Sequence, residues 1–158
     1  MKVRPKDATD QAWIEEMLAR HWGDGSRIVA HGQIFDARHL PALIAGNREG
    51  LATFQIEPDG ASAELVTLNA FVPERGIGTA LIDALVSRFA AQGVRTLRLT
   101  TTNDNLHALR FYQRRDFRIV AVRPGAVDAA RRLKPTIPLI GQHGIELHDE
   151  LELVRVLD

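Results

Sequence analysis

Apolar residues follow two different periods along this chain, and each switch between them marks a change of element. Residues 2–6 read as a short first strand. Thr9 or Asp10 is placed to cap a helix running to about Trp22, with Trp13, Met17 and Leu18 on its inner face, and Gly23-Asp24-Gly25 stops it. Residues 26–34 carry no decisive period, and Asp36 to Leu40 reads as a short helix ending at Pro41. Strands are predicted at 42–46 and 50–57, separated by a turn at Gly46-Asn47-Arg48, and at 62–71 after the turn Pro58-Asp59-Gly60. At Gly76 the period changes: Ile77, Leu81, Ala84, Leu85 and Phe89 repeat at helical spacing until Gly93, where a left-handed residue can end the helix. A strand at 95–101, with Leu97 and Leu99 alternating, a helix at 105–115 and a strand at 117–123 follow. The looser segment 124–149 holds Pro124, Pro135 and Pro138 and a short helix at Ala126 to Leu133, and an alternating strand at 150–157 closes the chain. The strand–helix–strand unit over 62–101 requires a parallel pair. The pattern as a whole predicts a mixed α/β sheet with helices on both faces.

Composition narrows the class. At 158 residues, 45% hydrophobic and 25% charged, the chain has the size and balance of one globular domain, 1–158, able to bury a core without staples. A formal net charge of +0 offers no broad attraction to nucleic acid or anionic membrane, so neither is expected as a partner. The absence of cysteine removes disulfides, cysteine metal ligands and a thiol nucleophile, and it is compatible with the expected location, a reducing cytoplasm. Met1-Lys2-Val3-Arg4-Pro5-Lys6 has no apolar run behind its charges, so no signal peptide is expected. No segment approaches the roughly 18 apolar residues of a bilayer span.

The candidate chemistry begins at the turn after strand 62–71. The first turn of a helix has unpaired N–H groups and a partial positive charge. Gly76 and Gly78 lack a Cβ, so a ligand's oxygens can come close to those groups, with Arg75 alongside to neutralise a second charge. In chemical terms this is a pyrophosphate cradle, although a Gly-x-Gly before a helix is also an ordinary tight turn. A nucleotide-binding domain fits less well. Leu81 occupies the third position of the dinucleotide fingerprint, and no Gly-Lys-Ser/Thr follows.

Arg75-Gly76-Ile77-Gly78-Thr79-Ala80 matches the R/Q-x-x-G-x-G/A motif of the GNAT superfamily of N-acetyltransferases, which the chain resembles over nearly its whole length. Asn105, Ala108 and Tyr112 stand at the spacing of that family's Asn-x-x-Ala-x-x-x-Tyr, one helix and one strand downstream, and Phe117 follows. The resemblance implies a mostly antiparallel central sheet of six to seven strands, the fourth and fifth (here 62–71 and 95–101) parallel and splayed. It implies acetyl-CoA as co-substrate and no metal. The pyrophosphate would lie on the N–H groups of Gly76, Ile77, Gly78 and Thr79, near Arg75. The pantetheine would pair like an added strand with Leu68, Asn69 and Ala70, held also by Asn105. Tyr112, the only tyrosine, would protonate the leaving sulfur. Two departures stand out. Asp116-Phe117 replaces the family's Gly-Phe, so a left-handed Asp in a strained turn is expected. The link Val72-Pro73-Glu74 is short, which leaves the pantetheine contacts open by a residue or two.

An amine that attacks a thioester must be neutral, the oxyanion needs a donor, and a thiolate whose thiol titrates at about 8.5 leaves better when protonated. Asn105 and Tyr112 share one helix face. For the base, the resemblance offers Glu64, directly or through a water, and a solvent-facing strand residue explains that position equally well. Other family members carry an acid where this chain reads Thr100-Thr101-Thr102-Asn103-Asp104, and Asp104 suits a helix cap better. A backbone N–H near Asn69 or Ala70 is the expected oxyanion donor. His143 and His148 fit surface roles better than metal ligation. Arg114-Arg115 and Arg131-Arg132-Leu133-Lys134 read as solvated basic clusters, the second with the acceptor or the 3′-phosphate as alternative partners. The segment 124–149 exceeds what a connection needs, and Lys134-Pro135-Thr136-Ile137-Pro138 with Glu146, Asp149 and Glu150 is expected to border the acceptor pocket. The functional expectation is acetyl transfer to a primary amine, on a small molecule or a peptide, in a ternary complex. A non-catalytic acyl-CoA sensor on the same fold is the alternative, and monomer and homodimer both stay open.

Overall fold

The computed structural model describes residues 1–23 and 27–158. Among these, strands β1 (Val3–Pro5), β4 (Ala42–Ala45), β5 (Gly50–Ile56), β6 (Ser62–Ala70), β7 (Thr96–Thr102), β8 (Arg118–Arg123) and β9 (Glu150–Val156) form one sheet in the order β1-β4-β5-β6-β7-β9-β8. All its pairings are antiparallel except β6 beside β7. The strands predicted at 62–71 and 95–101 are β6 and β7. Of the undecided residues 26–34, Ser26 lies outside the described residues and the others belong to a separate hairpin of β2 (Arg27–Ala30) and β3 (Gln33–Asp36). Its two-residue loop is His31-Gly32, both at positive φ (40° and 78°), the backbone a tight hairpin turn demands.

Among the described residues four α-helices, α1 (Gln11–Trp22), α2 (Ile77–Ala91), α3 (Leu106–Gln113) and α4 (Ala126–Leu133), cover the sheet. Alternation along the strands divides the interior into two cores. On one face Leu81, Leu85 and Phe89 of α2 meet Leu43, Leu65, Leu97 and Leu99; on the other Ile14 and Leu18 of α1 meet Ile28, Phe35, Ile44 and Leu51. Each fully buried side chain of this size contributes about 1.5–3 kcal/mol.

The start of α1 corrects the sequence reading. Asp7 and Asp10 close a reciprocal capping box around a single 3-10 turn, Ala8–Asp10, and Asp10 makes no side-chain cap on α1. Its carboxylate instead takes Arg4 (2.7 and 2.9 Å), the Asp7 N–H (2.9 Å) and Arg48 (3.2 Å). Ile14 and Leu18 are the buried positions of α1, whereas Trp13 and Met17 are half-buried. Gly23 (φ 75°) ends α1; Asp24 and Gly25, expected to share in that stop, lie outside the described residues.

Candidate active site

Two irregularities at the end of β6 open the sheet. Pairing of β6 with β7 runs from Ser62↔Thr96 to Leu65↔Leu99 and stops, while β6 continues along β5 to Ala70 and β7 continues along β9 to Thr102. At the point of divergence the β5–β6 register slips: Thr53 faces Thr67 and Phe54 faces Leu65, leaving Val66 as the extra residue of a β-bulge. A bulge increases local twist and bends its strand, which carries β6 away from β7. The Phe71 N–H reaches Glu49 O on the β5 side (2.8 Å). By strand alternation Leu68 and Ala70 therefore turn their N–H and C=O into the opening. Of the two positions expected to supply the oxyanion donor, Ala70 faces the opening and Asn69 faces β5. A cleft of about 410 Å³ fills the split, bordered by Leu65 to Ala70, Thr100, Thr101, Gly78, Asn105 and Tyr112.

The mouth of α2 opens beside this cleft. Gly76, at φ 68° and ψ 20°, precedes the helix in a left-handed conformation with open space where a Cβ would be. The first bond of this turn runs from the Ala80 N–H to Gly76 O (2.9 Å), and no described group accepts from the N–H of Gly76, Ile77, Gly78 or Thr79. Unpaired N–H groups and the helix dipole make such a mouth chemically suited to an anion. Gly78 has a different reason to be glycine. A Cβ there would stand 2.9 Å from Phe111 Cζ, so it allows α3 to pack close against α2.

The cations are arranged differently from the expectation. Arg75 is paired with Glu49 at 2.7 Å. Arg115, read from sequence as part of a solvated cluster, lies flat on Phe111 at 3.7 Å and donates to Thr79 Oγ1 at 2.6 and 3.0 Å, which places a guanidinium at the helix mouth. Its sequence neighbourhood gave no signal of this, because the contact spans from α3's end to α2's start.

Asn105 caps α3 by accepting from the Ala108 N–H (3.1 Å), and its amide nitrogen has no partner among the described residues. Tyr112 packs edge-on against Phe111 and Phe117 at 5.2 and 5.4 Å, borders the cleft, and makes no hydrogen bond through its hydroxyl to a described residue. Burial pushes the phenol above its ordinary value, so it stays protonated. Asp116 is left-handed (φ 67°), as the replacement of glycine suggested.

Glu64 is neither solvent-facing nor in the cleft. It is 2% exposed on the α1 face of β6, and it binds His31 Nε2 at 2.9 Å and Arg98 at 2.8 Å. Asp104 does not cap α3. It accepts from Thr102 Oγ1 (2.5 Å) and the Gln142 N–H (2.8 Å), while Asn103 binds the N–H groups of His148 and Asp149, so this pair fastens the 124–149 segment to β7. Arg131 and Lys134 are not solvated either. Arg131 donates to the carbonyls of Ile137, Pro138 and Leu147, and Lys134, 7% exposed, donates to Trp22 O and Arg27 O. No group of three or more His, Asp or Glu residues is placed to hold a metal ion among the described residues, nor is any helix there long and apolar enough to cross a membrane.

Residues 5–117 match the family model described as Acetyltransferase (GNAT) family. The Bacillus subtilis (strain 168) protein YdhI is 33% identical over 160 residues, covering 100% of this chain and 99% of its own. Among solved structures, an aminoglycoside 6′-acetyltransferase type Ii superposes with a TM-score of 0.71 at 20% identity, covering 100% of this chain and 98% of that one. A GNAT family acetyltransferase from Elizabethkingia anophelis with acetyl-CoA bound gives 0.66 at 19% identity, covering 99% and 97%. At these identities the structural likeness speaks for the fold. The chain belongs to the GNAT acetyltransferase family.

Proposed function

We propose that this protein transfers the acetyl group of acetyl-CoA to a primary amine. The observation that carries the reading is the union of two unsatisfied backbone surfaces, the N–H groups at the α2 mouth and the β7-side edge of β6, around one cleft that Tyr112 also borders. The first suits a diphosphate, with Arg115 adding charge beside it. The second suits an amide-bearing arm laid along Leu68 to Ala70, with the free Asn105 amide within the same cleft.

In the reaction the neutral amine nitrogen bonds to the acyl carbon, the C–S bond breaks, and the amine's surplus proton leaves to a base or to water. The Ala70 N–H donates to the carbonyl oxygen as charge develops there. Tyr112 gives its proton to the departing sulfur. Glu64 is the proposed base, reached through water because its carboxylate lies outside the cleft; a general base of this kind is worth about 10² to 10⁴ in rate.

Release of free thiol from acetyl-CoA in the presence of primary amines tests the whole reading. Glu64→Gln tests the base, since it keeps the shape but cannot take the proton. We expect kcat to fall about 10²-fold or more. Unchanged kcat in a folded variant assigns Glu64 to holding His31 and the hairpin alone.

A further inference from the structure

A second cavity, of about 490 Å³, lies where α4 and the loop after it close over the end of α1 and the β2–β3 hairpin. Its walls are largely apolar: Trp22, Val29, Val127, Ile137, Pro138 and Leu147. It adjoins the cleft described above. Trp22 borders both spaces, and along β7 Thr100 and Thr101 border the cleft while Thr102 borders the cavity. The Trp22 indole is fixed at this boundary by its N–H, which donates to Asn69 Oδ1 at 2.9 Å.

Of the polar residues in the lining, Thr102 donates to Asp104 at 2.5 Å, and the side chains of His21 and Thr136 make no hydrogen bond to a described residue. The Lys134 ammonium is drawn to the backbone of Trp22 and Arg27 at 2.8 and 2.7 Å. Glu150 stands directly across from Thr102 in the β7–β9 register and is 3% exposed. Its Oε1 accepts from the His31 N–H and from Arg123 Nε, both at 3.0 Å, and no described group donates to Oε2. No buried side-chain oxygen or nitrogen among the described residues is left without a partner. Oε2 is therefore accessible, and the space Glu150 borders is this cavity. Arg123 also binds Glu152 at 2.9 Å and Thr100 Oγ1 at 3.0 Å, so its charge is divided between two carboxylates. Of the acidic residues expected from sequence to border an acceptor pocket, Glu150 lines this cavity. Glu146 is exposed, and Asp149 is taken by the Gly125 N–H at 2.8 Å and His148 at 2.7 Å.

We propose that this cavity receives the acceptor and selects a primary amine carried on an apolar body: the body fills the space between α4, Trp22 and Ile137, and Glu150 Oε2 takes the ammonium where the cavity meets the cleft. The inference rests on the acetyl-transfer reading above and names its substrate class. An apolar body gains by leaving water for these walls. A polyhydroxylated or polycationic acceptor would bury groups that the walls cannot hydrogen-bond. Once bound, the ammonium gives up one proton through water to the base, the neutral nitrogen attacks the thioester, and the nitrogen's second proton passes through water to replace the one Tyr112 gives to the departing sulfur.

The test is a comparison of kcat/KM at saturating acetyl-CoA for 2-phenylethylamine and hexylamine against spermidine and an aminoglycoside. The apolar amines are expected to lead at least tenfold. Glu150→Gln should lower kcat/KM for 2-phenylethylamine tenfold or more and leave the Kd for CoA within twofold. That variant also disturbs Arg123, so a second one avoids the ion cluster: Ile137→Trp fills the cavity and should raise the KM for 2-phenylethylamine tenfold while that for methylamine stays put. Preference for the polycations, or an unchanged KM in a folded Ile137→Trp protein, overturns the inference. Calorimetry with CoA separates the two levels. No CoA binding overturns the acetyl-transfer reading and this one with it, whereas CoA binding with turnover of polar amines alone overturns only the acceptor class.

Discussion

Tyr112 is the side chain on which the proposed chemistry turns. Burial raises its pKa, so the phenol keeps its proton across the physiological range and can offer it to the leaving sulfur. Tyr112→Phe keeps the ring between Phe111 and Phe117 and removes only the proton. The expected result is a fall in kcat of about 10² to 10⁴ with the CoA affinity unchanged, measured by thiol release and calorimetry; full turnover in the variant removes the acid. Asp10 carries a prediction about stability. The Arg4 guanidinium holds its carboxyl well below the usual carboxylate range, aided by the Asp7 N–H and Arg48 and opposed by burial. Because the folded pKa is depressed, the stabilisation is complete above the unfolded value of about 3.9 and is lost as pH falls below it toward the folded pKa. Asp10→Asn should cost about 1–3 kcal/mol at neutral pH, since it removes the charged acceptor of two guanidiniums that are themselves part-exposed to water. It should also flatten the decline of stability below about pH 4. Urea unfolding of both proteins at pH 7, 5, 4 and 3 reads both effects, and parallel declines would show that Asp10 is not the titrating group.

At the scale of elements, α2 and α3 are set by one small residue. Gly78→Ala puts a methyl 2.9 Å from the Phe111 ring, which itself supports Arg115 at 3.7 Å. The ring must move, and the guanidinium at the helix mouth moves with it. CoA affinity should drop about tenfold, the equivalent of about 1.4 kcal/mol, while overpacking costs about 1–3 kcal/mol of stability. Calorimetry and denaturant melts check the two separately, and unaltered CoA binding would detach Arg115 from the site. This pair also shows what the sequence could and could not reveal. The glycine turn, the Asn105–Tyr112 helix and the strands of the sheet were legible because each rests on a local period or a short-range motif. The hairpin was not: its turn places a His at positive φ, and its residues find their core against α1, β4 and β5. Glu64 read as an even choice between base and surface because its partners, His31 and Arg98, sit 33 and 34 residues away in sequence. Lys134 and Asp104 differ from their sequence reading for the same reason, with backbone partners at Trp22, Arg27 and Gln142, whereas Arg131 folds its own following loop back onto itself through the carbonyls of Ile137, Pro138 and Leu147.

The whole molecule is a sheet that is continuous at one end and divided at the other. Two cores clamp it from opposite faces, yet the β7-side edge of β6 beyond Leu65 and the mouth of α2 have no partners among the described residues. A ligand that satisfies both should stabilise the fold as a unit. At a CoA concentration of about 100 times Kd the gain is about 2.7 kcal/mol, and a domain of this size gains about 2–4 °C in Tm per kcal/mol, so a rise of roughly 5–11 °C is expected. Adenosine 3′-phosphate 5′-diphosphate, which keeps the diphosphate and lacks the pantetheine arm, should give a smaller rise, and the difference isolates the strand edge from the helix mouth. Hydrogen exchange gives the sharper readout. The Leu68 and Ala70 amides turn into the opening and should gain protection with CoA, whereas the Asn69 amide already faces β5 and should not. Protection spread evenly over 68–70, or equal Tm shifts for the two ligands, would mean that the arm does not lie along this edge, and the division of the sheet would then need another explanation.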